Sequence, residues 1–310
     1  MNSEVSDPVA EHTHTGWLAG DALPAPMLRR SSNASRLIYR ARRHPSFLSG
    51  LVIILCLAFA ALLPQVLAPH DPLAILSKSG IQAPSRQYVL GLDHLGRDVL
   101  SRTIYAARTS ILVSLGAVLI AFFLGVPLGL FSGYTGGWVD NIINRFLDAI
   151  LAFPVLLFAI LVLAFLGGTA TNLVFTIGFI YMPYFARLAR GSTLSVKERE
   201  YVQASRAVGA GDGSIIFRTI LPNIIVPLTV QISLALGVAM LVEANLSFLG
   251  LGVQPPTPSW GRMILESAIY VRANPWYMLA PGACIFVAIM GFNLLGDGLR
   301  DVVDPRLLIL

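Results

Sequence analysis

The sequence predicts an all-α, polytopic membrane protein with six transmembrane helices, and three observations lead to this fold class. Of the 310 residues, 55% are hydrophobic and only 13% are charged, whereas soluble domains carry about 25% charged residues. Apolar runs recur along the chain at lengths close to the ~20 residues that cross a bilayer. Basic residues gather beside alternate ends of these runs, and the positive-inside rule orients membrane proteins by such a pattern.

Residues 1–45 are polar and contain no signal-peptide pattern, so we expect a cytoplasmic tail. Six arginines precede the first apolar run and should hold this tail in the cytoplasm: Arg29, Arg30, Arg36, Arg40, Arg42 and Arg43. The first predicted span covers residues 47–67. A polar segment follows up to Arg108, and because Pro69, Pro72 and Pro84 interrupt helices, we expect an irregular outer segment.

The remaining predicted spans cover residues 110–131, 146–166, 172–185, 223–242 and 276–295. Gly125, Pro127 and Gly129 in the second span indicate close helix packing or a kink. A glycine pair at 136–137 predicts the turn before the third span, and Gly167 begins the turn before the fourth, which contains Pro183. Six spans place both termini on the same side of the membrane, and the arginines assign that side to the cytoplasm.

A polar insert at residues 195–223 separates the fourth and fifth spans. Ser195 and Glu198 form an S-x-x-E pattern that predicts a helix beginning at about Val196. Gly209 follows at a position where helices end in a left-handed residue. A second helix, capped by Asp212 or Ser214, should lead to the next span. The four residues expected on one face of the first helix are Tyr201, Ala204, Ser205 and Val208.

Other chemistry-bearing residues form no recognisable enzymatic site. Asp93, His94 and Asp98 suggest a metal site, but their spacing fits no compact metal motif. The chain contains no phosphate-binding glycine loop, no H-E-x-x-H and no G-x-S-x-G. Cys56 and Cys284 lie in apolar runs, where packing is their expected role. We therefore predict a protein without a catalytic or metal site of its own.

Three stretches resemble one family, the permease subunits of bacterial ABC importers, in the dipeptide, oligopeptide and nickel branch. The insert resembles the EAA loop of these permeases through Gln203-Ala204-Ser205, Gly209 and Leu221-Pro222. Residues 91–102, GLDHLGRDVLSR, resemble the GTDxLGRDxLSR signature, and residues 243–261 resemble EAxLSFLGLGxxPPxPSWG. The resemblance covers roughly residues 38–305. Gln203 stands in place of the usual Glu, Ser205 in place of the second Ala, and Thr219 where this branch often has His.

The resemblance implies a type I ABC-importer permease fold with a cytoplasmic coupling-helix loop that docks on an ATPase subunit. The chain would divide into a cytoplasmic N-terminal tail (1–45), a first transmembrane helix with an extracytoplasmic segment (46–108), a five-helix core (109–298) and a cytoplasmic tail (299–310). Residues implied to couple to the ATPase are Tyr201, Gln203, Ala204, Ser205, Gly209, Leu221 and Pro222.

The same resemblance implies the partners and the reaction. They are a homologous permease forming a heterodimer, two ATP-binding subunits that carry ATP and Mg²⁺, an extracytoplasmic solute-binding protein and membrane lipid, without nucleic acid. The chain would bind no cofactor directly and would lie in the bacterial inner membrane. Di- or oligopeptides are the implied substrate, nickel or glutathione the alternatives, and a secondary carrier or channel the rival class of protein.

Glu243, Ser247 and Trp260 are candidates for an outer gate. Glu243 follows about 20 apolar residues and should lie at the outer end of the fifth span, where acids usually face protein or a water-filled cavity. In a purely structural alternative, Glu243 reaches the lipid headgroups or pairs with Arg262 or Arg272. Trp260 follows a proline-rich corner and is expected to anchor the chain at the membrane surface.

Overall fold

The computed structural model describes Ala41 and residues 43–303, with the side chain of Val303 left out. Over this part of the chain the secondary structure is helical, apart from two isolated β-bridges, Gln82 with Leu92 and Leu92 with Asp98. The predicted all-α class is therefore confirmed. The cytoplasmic tail predicted at residues 1–45 lies almost entirely outside the described residues, as does most of the tail predicted at 299–310.

The helices, numbered here in chain order, are α1 (Pro45–Leu62), α2 (Pro64–Leu67), α3 (Val99–Thr135), α4 (Gly137–Leu151), α5 (Val155–Leu166), α6 (Ala170–Lys197), α7 (Glu200–Ala207), α8 (Asp212–Phe248), α9 (Trp260–Ser267) and α10 (Trp276–Val303). Within α8, residues Ile215–Ile220 form a π-helical segment, and a 3₁₀ turn at Ala268–Tyr270 follows α9.

By length and composition, four helices of the described part can cross a membrane: α1, α3, α8 and α10. The pair α4 and α5 adds a fifth if the two helices form one broken span. The predicted fourth span lies in α6, which is not among them. This helix carries polar residues such as Asn172, and it buries Thr176 against protein rather than lipid. The predicted count of six is therefore not reproduced by the apolar helices alone.

Several predicted boundaries differ because local signals are overridden by packing. The third span is not one helix: α4 and α5 meet at 86° around Pro154, which cannot donate a helical hydrogen bond. The second span is much longer than predicted, because Asp98 caps α3 one residue before Val99. The Asp98 carboxylate accepts hydrogen bonds from the backbone N–H and hydroxyl of Ser101, at 2.9 and 2.6 Å.

The closest helix packing in the described chain joins α3 to α6. Gly125, Gly129 and Gly133 lie four residues apart along α3, so they share one face of the helix. A Cβ atom at Gly129 would collide with the Ala186 carbonyl of α6, and one at Gly125 would collide with the Met182 carbonyl. This spacing of small residues lets two backbones touch, and the close packing predicted from the glycines is confirmed.

The outer segment is held to the helices by a buried group of charges. The Arg97 guanidinium donates to the Asp93 carboxylate at 2.7 Å, and Arg102 lies 3.3 Å from the same carboxylate. Arg102 also donates to Glu266 of α9 at 3.2 Å, and Tyr277 of α10 donates to Glu266 at 3.0 Å. The motif at residues 91–102 thus connects the start of α3 with α9 and α10.

Candidate coupling site

Helix α7 is a short helix suspended between two long ones. Arg199, with an extended backbone, precedes it, and Val208 ends it. The predicted beginning at Val196 is wrong, because α6 continues through Ser195 and Val196 to Lys197. Val196 is buried in the main hydrophobic core, so its packing favours continuation of α6 over the capping pattern formed by Ser195 and Glu198. The chain turns only at Glu198 and Arg199.

The two faces of α7 have different environments. Val202 is fully buried in the main core and fixes the helix to its own chain. The predicted face points outward, because Tyr201 is 39% exposed and Val208 is 84% exposed, and Ala204 between them is also exposed. An apolar side chain as open as Val208 on a structured turn is typical of an interaction surface when its neighbours are also uncovered.

The turn after α7 requires the glycine that the sequence places there. Gly209 has φ of +82°, in the left-handed region. Its N–H donates to the Arg206 carbonyl at 2.9 Å, and the Ala210 N–H donates to the Ser205 carbonyl at 3.1 Å. These two bonds form a Schellman motif. The predicted conformation of Gly209 is therefore correct, and a Cβ atom there would meet nothing within 4 Å.

The second helix of the insert differs from the prediction. Gly211 precedes it, and neither Asp212 nor Ser214 caps it. The helix continues without a break through Leu221 and Pro222 to the end of α8. A π-helical segment comes directly before this proline, and the Leu221 N–H bonds to the carbonyl five residues earlier, that of Ile216. The second helix of the insert and the fifth span are thus one continuous helix.

Two of the three positions that depart from the family pattern, Gln203 and Ser205, make side-chain contacts within the chain. The Gln203 side-chain amide donates to the Lys197 carbonyl at 3.3 Å, near the C-terminal end of α6. A glutamate would lack the N–H that donates there. The Ser205 hydroxyl donates to the Tyr201 carbonyl of its own helix at 2.9 Å, so this hydrogen bond lies within α7.

Sequence reasoning missed one residue of this site, Tyr134 at the end of α3. Its hydroxyl donates to the Asp212 carboxylate at 2.5 Å, and the Arg206 guanidinium lies 5.2 Å from its ring centroid. The three residues are far apart in sequence and belong to no common motif. The only available signal was the position of Tyr134 beside the glycine pair that ends the second span.

A cleft of about 460 Å³ with a mixed polar and apolar lining lies between α6 and α8, next to the start of α7. Two arginines, Arg187 and Arg199, line it together with polar groups from both helices, Ser192, Ser195 and Asn223. Arg187 also donates to Asp148 of α4 at 2.6 Å. The insert at residues 195–223 therefore borders a cleft between two long helices.

The outer candidates lie together, but in the protein interior. Glu243 is fully buried and accepts a hydrogen bond from the Ser247 hydroxyl at 2.8 Å. Trp260 is 1% exposed, and its indole N–H donates to the Thr103 carbonyl at 2.9 Å. The predicted role of Trp260 as a membrane-surface anchor is wrong, because α9 folds back and inserts this side chain between α3 and α8.

The structural alternative for Glu243 is also wrong as stated. Its carboxylate does not reach the headgroups, because it is covered. Among the described residues it forms no ion pair with Arg272 or with Arg262, which bonds to Glu266 at 3.1 Å. The backbones of α8 and α9 also approach closely at the next residue, since a Cβ atom at Gly261 would lie 2.5 Å from the Ala244 carbonyl. The outer-gate role of Glu243, Ser247 and Trp260 stays a prediction.

Among the described residues, no group of three or more His, Cys, Asp or Glu side chains could hold a metal ion. The Asp93 carboxylate instead forms ion pairs with Arg97 and Arg102. The His94 ring stacks on Tyr270 with ring centroids 5.5 Å apart. His94 also lies within hydrogen-bond distance of the Tyr277 hydroxyl, at 3.3 Å.

Residues 125–309 match the family described as "Binding-protein-dependent transport system inner membrane component". The chain belongs to this family. The permease is 40% identical to the dipeptide transport system permease protein DppC of Alkalihalophilus pseudofirmus, over 83% of this chain and 85% of that one. It is also 40% identical to the glutathione transport system permease protein GsiD of Pectobacterium atrosepticum, over 86% of this chain and 88% of the relative.

A third relative, the probable D,D-dipeptide transport system permease protein DdpC of Escherichia coli, is 38% identical over 91% of this permease and 94% of its own length. A solved chain of the methionine ABC transporter MetNI, in an inward-facing conformation, aligns with a TM-score of 0.56. The alignment covers 66% of the permease and 97% of the solved chain at 15% sequence identity, so the likeness concerns the fold. The predicted resemblance to the ABC-importer permeases is confirmed, and the permease is a multi-pass inner-membrane subunit.

Proposed function

We propose that the permease, together with a second, homologous permease, forms the translocation pathway of an ATP-driven importer of di- or oligopeptides. The observation that carries this proposal is α7, a short helix whose inner side is fixed by Val202 and whose outer side is uncovered at Tyr201 and Val208. A helix held in this way between two long ones presents a docking surface to another subunit. Membership of the binding-protein-dependent family makes that subunit an ATPase.

Each residue of the coupling insert has a defined part in this proposal. Tyr201 and Ala204 offer contact surface to the ATPase, while Gln203 and Ser205 stabilise the backbone on either side of the helix. Gly209 sets the angle between α7 and α8. Leu221 and Pro222 belong to the continuous helix that carries a displacement of α7 toward the outer side of the membrane.

The reaction itself is divided among subunits. Two ATPase subunits bind and hydrolyse ATP with Mg²⁺, while this chain supplies no catalytic group and binds no cofactor. Closure of the ATPases displaces α7, and a solute-loaded extracytoplasmic binding protein favours the opposite state of the same assembly. Because ATP and solute each favour one of two states, their binding alternates access to the pathway.

The cleft between α6 and α8, with two arginines in its lining, supports an inner mouth on this side of the chain. Its arginines and hydroxyl groups can exchange contacts with a polar solute, whereas the lipid-facing sides of the long helices are apolar. The second permease would close this cleft from the other side. This orientation places α7, the N-terminus and the C-terminus in the cytoplasm, as the distribution of arginines predicts.

Glutathione is the second candidate substrate, because a relative named for its transport is as similar to this permease as one named for dipeptide transport. Both are small peptides with free carboxylates, so one pathway chemistry suits them. Nickel is the remaining alternative within the branch. A secondary carrier or channel is disfavoured by membership of a family that works with binding proteins.

The substrate is tested by measuring binding and uptake with the complete system. The purified cognate binding protein is titrated by calorimetry with a dipeptide, an oligopeptide, glutathione and Ni²⁺. The complex in proteoliposomes is then given each labelled solute with the binding protein outside and ATP on the ATPase side. We expect peptide uptake that requires both ATP and the binding protein. Binding and uptake of Ni²⁺ alone, or uptake without ATP, would contradict the proposal.

A further inference from the structure

The coupling helix is joined by the chain to only two of the long helices. Residues 198–199 connect α7 to α6, and residues 208–211 connect it to α8. Helix α3 has no such connection, although it packs along α6 through its glycine face. A displacement of α7 therefore reaches α3 only through non-covalent contacts, and the contacts nearest to α7 decide how directly α3 follows it.

Two contacts supply that connection at the end of α3. The Lys197 ammonium, in the last turn of α6, donates to the Gly133 carbonyl of α3 at 3.0 Å. One residue later, Tyr134 touches both sides of the Gly209 turn. Its ring lies under the Arg206 guanidinium of α7, and its hydroxyl donates to the Asp212 carboxylate at the start of α8.

The ring and the hydroxyl of Tyr134 each suit the charge of the partner that they contact. The negative face of an aromatic ring attracts a cation such as Arg206. The phenol O–H is a donor whose hydrogen bond is strengthened by a carboxylate acceptor such as Asp212. One side chain thus binds a positive group before the turn and a negative group after it, which fixes the angle between α7 and α8 relative to α3.

We propose that Tyr134 is a positioning residue that transmits displacement of the coupling helix to α3. The inference rests on the proposed importer function and goes beyond it, because it assigns a role to a residue outside the coupling insert. Tyr134 is only partly buried, and Arg206 and Asp212 are exposed, so these contacts contribute modestly to stability. Their loss should leave the helices inserted and the complex assembled, and should change the relation between ATP hydrolysis and transport.

The test uses the complete complex in proteoliposomes with its binding protein. Tyr134→Phe removes only the hydroxyl, and Tyr134→Leu removes the ring as well. Thr135→Val is the matched control, because the Thr135 hydroxyl bonds only to the Phe131 carbonyl of its own helix. For each variant, co-purification of the ATPase subunits and the amount of solute imported per ATP hydrolysed are measured. Asp212→Ala is added alone and together with Tyr134→Phe.

We expect wild-type co-purification for Tyr134→Phe and a fall of about fivefold in solute imported per ATP, the change expected when one hydrogen bond to a charged group biases a two-state element. Tyr134→Leu should lose about tenfold or more, because it also loses the cation–π contact. Thr135→Val should match the wild type. The double variant with Asp212→Ala should fall little below Tyr134→Phe, since both changes remove the same bond.

Three results would overturn the inference. The first is an unchanged ratio of import to hydrolysis in Tyr134→Phe, and the second is loss of the ATPase from that variant, which would make Tyr134 a docking contact. The third is full additivity with Asp212→Ala. If the wild-type complex itself shows no import dependent on ATP and the binding protein, the proposed function fails. If the wild type imports solute and Tyr134→Phe does so equally well, only the role of Tyr134 fails.

Discussion

Replacement of Gly209 tests the geometry of the turn between α7 and α8 without removing any other side chain. The turn needs a backbone φ of +82° at this position, and a Cβ atom would meet no other atom within 4 Å. A Cβ atom here therefore causes no collision, and the main effect of a substitution is the strain of the left-handed backbone. We expect Gly209→Val to uncouple or dissociate the ATPase while the long helices still insert.

The magnitude follows from that strain and from the two hydrogen bonds of the turn. A left-handed conformation costs an ordinary L-residue roughly 1–2 kcal/mol, and a β-branched residue is less tolerant still. If the turn opens instead, the bonds to the Arg206 and Ser205 carbonyls are lost, each with a net value of about 1 kcal/mol. Either route lowers the population of the docked geometry by a factor of roughly 5–30.

Gly211 supplies the matched control for Gly209 within the same turn. It also has open space around a Cβ atom, but its φ is −68°, which any residue adopts. We therefore expect Gly211→Ala to behave as the wild type, Gly209→Asn to lose little because asparagine tolerates the left-handed region, and Gly209→Val to lose most. ATPase co-purification and ATP-driven uptake measure the series. Normal values for Gly209→Val, or equal damage from Gly211→Ala, would refute the reasoning.

The remaining predictions concern packing, the outer residues and orientation. Gly129→Ala should lower the amount of folded protein in the membrane, because overpacking costs about 1–3 kcal/mol. Gly282→Ala should not, because a Cβ atom at Gly282 has open space. Equal levels of the two variants on immunoblots of membranes would argue against the close α3–α6 contact. Glu243→Gln should preserve assembly and reduce uptake, and normal uptake would remove the gate hypothesis. Reporter fusions should be cytoplasmic at Ala210 and external at Lys78, and the reverse pattern would overturn the orientation.

The parts of the fold predicted correctly from sequence depend on local constraints. Gly209 was predicted because few other residues adopt positive φ. The glycines of α3 indicated close packing because a helix without side chains on one face permits backbone contact. In each case the physical reason lies within one turn of the chain or one helix face.

The incorrect predictions involve competition between local and distant contacts. The S-x-x-E pattern at Ser195 is a valid capping signal, but burial of Val196 extends α6 through it. Trp260 follows a proline corner that suits a membrane surface, yet Thr103 of a distant helix accepts its indole N–H. Tyr134 had no signal beyond its place beside a glycine pair, because its partners Arg206 and Asp212 lie far away in sequence. Such contacts require the three-dimensional arrangement.

The most direct test of the central claim, that the exposed face of α7 docks on the ATPase, is site-directed cross-linking in membranes containing the complete complex. In a background with Cys56→Ala and Cys284→Ala, the variants Tyr201→Cys and Ile269→Cys each carry one exposed thiol, on predicted opposite sides of the membrane. A thiol-reactive photo-cross-linker should join the ATPase subunit to the permease from Tyr201→Cys and not from Ile269→Cys. Absence of ATPase product from Tyr201→Cys in an actively transporting complex, or its formation from Ile269→Cys, would contradict the account.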